Sequence, residues 1–105
     1  RVRDDAEFIT ASLLGFSGHD YSRLGSILKQ TDSGSTFRQL LVEMLEAARE
    51  YRSEERISLE TYLGICSIIN DGMREWEEKN QKESLVLESC CFRIMHLAGA
   101  GGGKP

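Results

Sequence analysis

Proline is almost missing from this chain: the only one, Pro105, is the last residue. Without internal proline, no helix is interrupted by a ring that removes a backbone donor, and the usual punctuation of turn-rich β-sandwiches is lacking. Long apolar runs are missing as well, and nothing approaches the roughly 20 residues of a membrane-spanning helix. There is no cationic run. Thirteen Lys and Arg are interspersed among seventeen Asp and Glu for a net charge of −4, which leaves sequence-independent phosphate binding little to work with. Cysteine is sparse. Cys66, Cys90 and Cys91 are odd in number and two are adjacent, which argues against a disulfide framework and for a reducing, intracellular and most simply cytoplasmic setting.

What is present is ordinary for a globular domain. Hydrophobic residues make up 40% and charged residues 29% of 105 positions, too apolar for disorder and enough for one core. The chain opens on Arg1 rather than methionine and closes on a glycine-rich stretch from Ala98 to Pro105. Residues 1–98 are therefore expected to form a single helical domain cut from a longer protein, with 99–105 a flexible tail or linker.

The periodicity predicts an all-α bundle of about five helices, over residues 4–16, 20–31, 36–52, 58–79 and 83–98. The fourth is expected to be central. Its apolar positions Leu59, Tyr62, Leu63, Cys66, Ile69, Met73 and Trp76 recur every three or four residues, while Ile65 and Ile68 lie on an adjacent face with Gly64 and Gly72. A helix apolar on two faces needs cover from two sides. Its cap is Ser58, with Ile57 before it as a hydrophobic staple. Asp4 with Glu7, Thr36 with Gln39, and Asn80 with Glu83 have the spacing of capping boxes for the first, third and fifth helices. Asp20 is the expected cap of the second. Thr31–Ser35 is a polar loop. The third helix is cleanly amphipathic, with Phe37, Leu40, Leu41, Met44, Ala48 and Tyr51 on one side. The fifth is apolar nearly all round, so it is either buried on most sides or in contact with a partner. No fixed-period repeat recurs, which sets aside solenoid arrays of HEAT- or armadillo-like pairs.

Chemistry-bearing residues are few, and each has a plainer reading. Ser17-Gly18-His19-Asp20 contains the residue types of a hydrolytic triad, but adjacent positions on a turn do not converge as a nucleophile, base and orienter must. Cys90-Cys91 with His96 lacks the second ligand pair of a structural zinc site, and thiols in an apolar helix behave as small hydrophobes. Glu75, Glu77 and Glu78 read as a solvated helix end. Gly99–Gly103 follows a helix instead of opening one, unlike a phosphate loop.

These patterns imply neither an enzyme nor a cofactor or metal site. They imply a protein–protein interaction module from a scaffold, adaptor or regulatory protein, binding a partner helix or peptide, or a second copy of itself. The expected contact residues are Met73 and Trp76 at the end of the fourth helix and Val86, Cys90, Arg93 and Leu97 on the outward side of the fifth. The alternative is a helical nucleic-acid-binding domain using Arg23, Lys29, Arg38, Arg49, Arg52 and Arg56, which the acidic balance disfavours. A fragment of an enzyme ranks below both.

Overall fold

The chain winds through five helices in a computed structural model that describes residues 1–18, 20–31 and 36–99. They are α1 (Val2–Leu13), α2 (Tyr21–Gln30), α3 (Phe37–Ser53), α4 (Leu59–Lys79) and α5 (Glu83–Leu97). No strand occurs among the described residues. The expected all-α bundle is what forms. The glycine-rich tail beyond Gly99, His19 of the polar turn, and Asp32–Ser35 of the loop lie outside the described residues.

Helix ends show which local signals won. Ser58 Oγ accepts from the Thr61 backbone N–H at 3.0 Å, and Asp20 does the same for Arg23 at 3.0 Å, so these two caps act as their residue types predict. The three capping boxes do not form. α1 begins at Val2, two residues before Asp4, and Glu7 pairs with Arg3 at 3.2 Å. Thr36 stands at the start of α3 without a side-chain cap bond, because Gln39 turns forward to Glu43 at 2.8 Å. Asn80 ends α4 in the left-handed conformation at φ +56° and does not open α5. Asparagine serves both roles, and here its αL tolerance is used.

Two other helix ends share one hydrogen-bond pattern. After α1, Gly15 sits at φ +81° while Phe16 N–H reaches Ala11 C=O at 2.8 Å. After α3, Arg56 N–H reaches Tyr51 C=O at 2.9 Å, and the left-handed position is filled by Glu55 at φ +60°. Both are Schellman closures, and the second places a side chain where glycine is favoured. Each closure returns an apolar residue to the core: partly buried Phe16 and fully covered Ile57.

The helices pack so that α3 covers α1 and α4, α4 lies between α3 and α5, and α5 reaches α1 and α2. Ala6 and Ile9 of α1, Phe37, Leu41 and Met44 of α3, Ile65 and Ile69 of α4, and Leu87 and Ile94 of α5 join in one apolar cluster. The short α3–α4 and α4–α5 connections impose antiparallel neighbours. Arg38 near the start of α3 accordingly pairs with Glu77 near the end of α4.

The α4–α5 seam depends on two glycines. A Cβ at Gly72 would lie 2.6 Å from Cys90 Sγ and 3.2 Å from Val86 Cγ1, and one at Gly64 would lie 2.6 Å from Leu97 Cδ2. With no side chain at either position, α5 settles directly against the α4 backbone. Cys90 Sγ then lies 3.7 Å from the Ile68 carbonyl. Glycine in a helix interior costs about 1 kcal/mol relative to alanine, a loss offset here by close packing.

Candidate interaction surface

The seam decides which side of α5 faces outward, and it is not the expected side. Val86 and Cys90 are 2% and 1% exposed, packed on Gly72. Leu97 is partly buried over Gly64. Arg93 remains at the surface but is tied across the seam to Asp71 at 3.4 Å. The expected outward positions Val86, Cys90 and Leu97 are thus core-facing. Their one-turn spacing marks a coherent face, and the two α4 glycines make it the inner one.

The α4 pair has a different fate. Met73 is partly buried against the core. Trp76 lies edge-on to Phe37 with ring centroids 4.9 Å apart and an interplanar angle of 67°, and the Arg38 guanidinium stands over its ring at 5.5 Å. Its indole N–H donates to Glu83 at 2.8 Å. With its ring packed and its single donor satisfied, partly buried Trp76 joins the ends of α3, α4 and α5.

What α5 does present is Leu85, Phe92 and Met95, at 56%, 68% and 47% exposure. Met95 follows Phe92 by three residues and Leu85 precedes it by seven, so all three lie on one side of the helix. Glu88, Ser89 and His96 are interleaved with them and exposed. Phe92, Met95, His96 and Gly99 line a shallow recess at the end of this strip. The sequence reading missed all three apolar residues because α5 is nearly equally apolar in every direction. The usable signal was the polar interleaving: Glu88, Ser89 and His96 must face water, and Phe92 sits among them. A smaller apolar pair, Leu59 and Leu63, is exposed on α4. Periodicity places those leucines in the central stripe, but its buried centre runs through Thr61, Ile65, Ile68, Ile69 and Gly72.

The polar groups contribute structure. Burial pushes the Cys90 thiol up to about 11. Cys91 is raised to about 12 by burial and by neighbouring Cys90 and Glu88. Both stay protonated near neutrality, and the thiolate is the nucleophile and the metal ligand. No group of three or more His, Cys, Asp or Glu is placed to hold a metal ion among the described residues. Each arginine of the expected cationic set is engaged within the fold. Arg23 stacks on Phe8 at 4.2 Å beside Asp5 at 3.7 Å. Arg38 pairs with Glu77 and Arg49 with Glu46. Arg52 donates to the Ile57 carbonyl at 3.1 Å. Arg56 covers the Phe16 and Tyr51 rings at 4.3 and 5.0 Å. No helix among the described residues is long and apolar enough to cross a membrane.

No protein-family model matches the chain, and neither does any curated protein or solved structure.

Proposed function

We propose that this domain is a protein-interaction module whose contact surface is the outer side of α5. One observation carries the reading: Phe92, the most exposed phenylalanine, stands between Leu85 and Met95 on a helix whose opposite side is anchored in the core. Three apolar side chains left half to two-thirds bare expose on the order of 300 Å² in one strip, the size of patch that on small monomers is often functional. Aromatic and methionine side chains are enriched at the buried centres of interfaces, and a rigid helix presenting them suits docking against another helix. Engagement of the arginines in ion pairs and ring contacts, on a chain of net charge −4, favours this reading over nucleic-acid binding, which needs a concentrated cationic face.

A photo-reactive phenylalanine analogue at position 92 tests it, with the same group at Arg74 on the exposed side of α4 as the control. Irradiation in cell extract, and of the purified chain at about 1 mM where weak self-association is populated, is expected to yield discrete adducts from position 92 in at least one setting and none from position 74. Absence of adducts from position 92 in both settings would refute the proposal.

A further inference from the structure

The order of residues along the exposed strip indicates what covers it. From Leu85 to Gly99 it reads Leu85, Glu88, Ser89, Phe92, Met95, His96, Gly99. Glu88 stands one turn before Phe92 and His96 one turn after it, while Leu85 and Gly99 lie two turns away on either side. The spacing is therefore symmetric about Phe92, and reversal sets Glu88 against His96, Leu85 against Gly99 and Ser89 against Met95. Two such helices crossing antiparallel at Phe92 place Glu88 of each copy opposite His96 of the other, and Leu85 opposite Gly99. A histidine ring N–H can donate to a carboxylate whether the ring is neutral or charged. A parallel pair would set Glu88 against Glu88 and His96 against His96, which is repulsive or unpartnered. Among the described residues neither Glu88 nor His96 has an ion-pair or hydrogen-bond partner within the chain. Arg93, the other charge on this helix side, is already engaged by Asp71 across the α4–α5 seam.

We propose that the outer side of α5 pairs with a second copy of this chain, antiparallel and centred on Phe92, with two reciprocal Glu88–His96 contacts. The inference rests on the assignment of this face as the interaction surface and names its occupant. Geometry supports the arrangement: the recess bounded by Phe92, Met95, His96 and Gly99 runs from Phe92 to Gly99, seven to fourteen residues beyond Leu85, so Leu85 of the second copy meets its far end without a side chain at Gly99 in the way. The available area also sets the strength. About 300 Å² of apolar surface per copy is well below the roughly 800 Å² per partner of a standard stable interface, so the pairing is weak and reversible.

Sedimentation equilibrium of the purified chain, from about 10 μM to about 1 mM, the range in which weak reversible dimers form, tests the pairing. The parent chain is expected to pass from monomer to dimer over this range, and Phe92→Glu to remain monomeric with an unchanged helical circular dichroism spectrum. Glu88→Lys and His96→Glu should each weaken the dimer about 5-fold or more, and the double variant should return to within about 2-fold of the parent, as reciprocal charge pairs do in mutant cycles. Rescue by the double exchange separates a specific contact from a merely structural effect. A chain that stays monomeric at 1 mM, a dimer indifferent to Phe92→Glu, or a double exchange no better than the singles would overturn the self-pairing. If the purified chain is monomeric while the position-92 crosslinker captures a protein of another mass in extract, the second copy is the wrong occupant and the docking role of the face stands. Adducts in neither setting would remove both.

Discussion

Replacing Gly72 by alanine isolates the α4–α5 seam in a single methyl group. In an open helix the change stabilises, because alanine exceeds glycine in helix propensity by about 1 kcal/mol. At Gly72 the new Cβ falls 2.6 Å from Cys90 Sγ and 3.2 Å from Val86 Cγ1, inside van der Waals contact with both. Val86 is β-branched and 2% exposed, and Cys90 is 1% exposed, so neither can swing clear without moving α5. Overpacking of this kind costs about 1–3 kcal/mol. Set against the propensity gain, Gly72→Ala is expected to destabilise by about 1–2 kcal/mol. The natural control is Gly25→Ala in α2, where a Cβ meets nothing within 4 Å; the same methyl group there should stabilise by about 0.5–1 kcal/mol. Urea unfolding followed by circular dichroism reads both as a shift in midpoint at constant m-value. Adding Cys90→Ala to Gly72→Ala removes the nearest clashing atom and should recover part of the loss, a positive coupling of about 1 kcal/mol. A Gly72→Ala protein more stable than the parent, or one showing no coupling to position 90, would refute the seam.

Three further outcomes follow from groups in unusual surroundings. Thr10 is 2% exposed and its hydroxyl has no hydrogen-bond partner, so the isosteric Thr10→Val should raise stability by about 1 kcal/mol in the same urea assay. Glu55 holds φ +60° at the end of α3, and Glu55→Gly should stabilise by about 1 kcal/mol, read as a higher melting temperature. The raised Cys90 thiol gives an alkaline limb: its ordinary value is 9.0 and burial lifts it to about 11. The folded state therefore keeps a proton that the unfolded chain gives up, so stability contributed below pH 9 declines as pH rises from 9 towards 11. Cys91, raised to about 12, extends the decline, and Cys90→Ala should flatten it in unfolding curves collected across that range.

Much of the fold was legible because its strongest signals were local and agreed with one another. Ser58 as a cap, Ile57 before it and the polar turn at Ser53–Arg56 place the α3–α4 connection to within a residue, and Phe37, Leu41 and Met44 read as core from their spacing alone. Signals with two physical meanings misled. Asn80 suits an N-cap and a left-handed helix end equally. Thr36 and Gln39 have capping-box spacing, but the Gln39 side chain found Glu43 one turn ahead. The facing of α5 was the least legible feature and the most consequential. Its apolar residues lie on every side, so periodicity assigns no inner face, and the choice was made by residues on another helix. Gly64 and Gly72 leave room for Leu97, Val86 and Cys90 to approach, which turns Phe92 outward. The candidate surface was thus one face away from its expected place, on the expected helix.

Thiol labelling tests that central assignment most directly. In a chain with Cys66→Ser, Cys91→Ser and Phe92→Cys, the native Cys90 and the new thiol at position 92 stand on opposite sides of one helix and report on both in a single protein. Alkylation at micromolar concentration, resolved by fragmentation of the labelled peptide, is expected to modify position 92 at close to the rate of a free thiol. Cys90 should react at least about 100-fold more slowly, since a buried thiol must await opening of the seam. Equal rates, or Cys90 reacting first, would mean that α5 is turned the other way and would contradict the account.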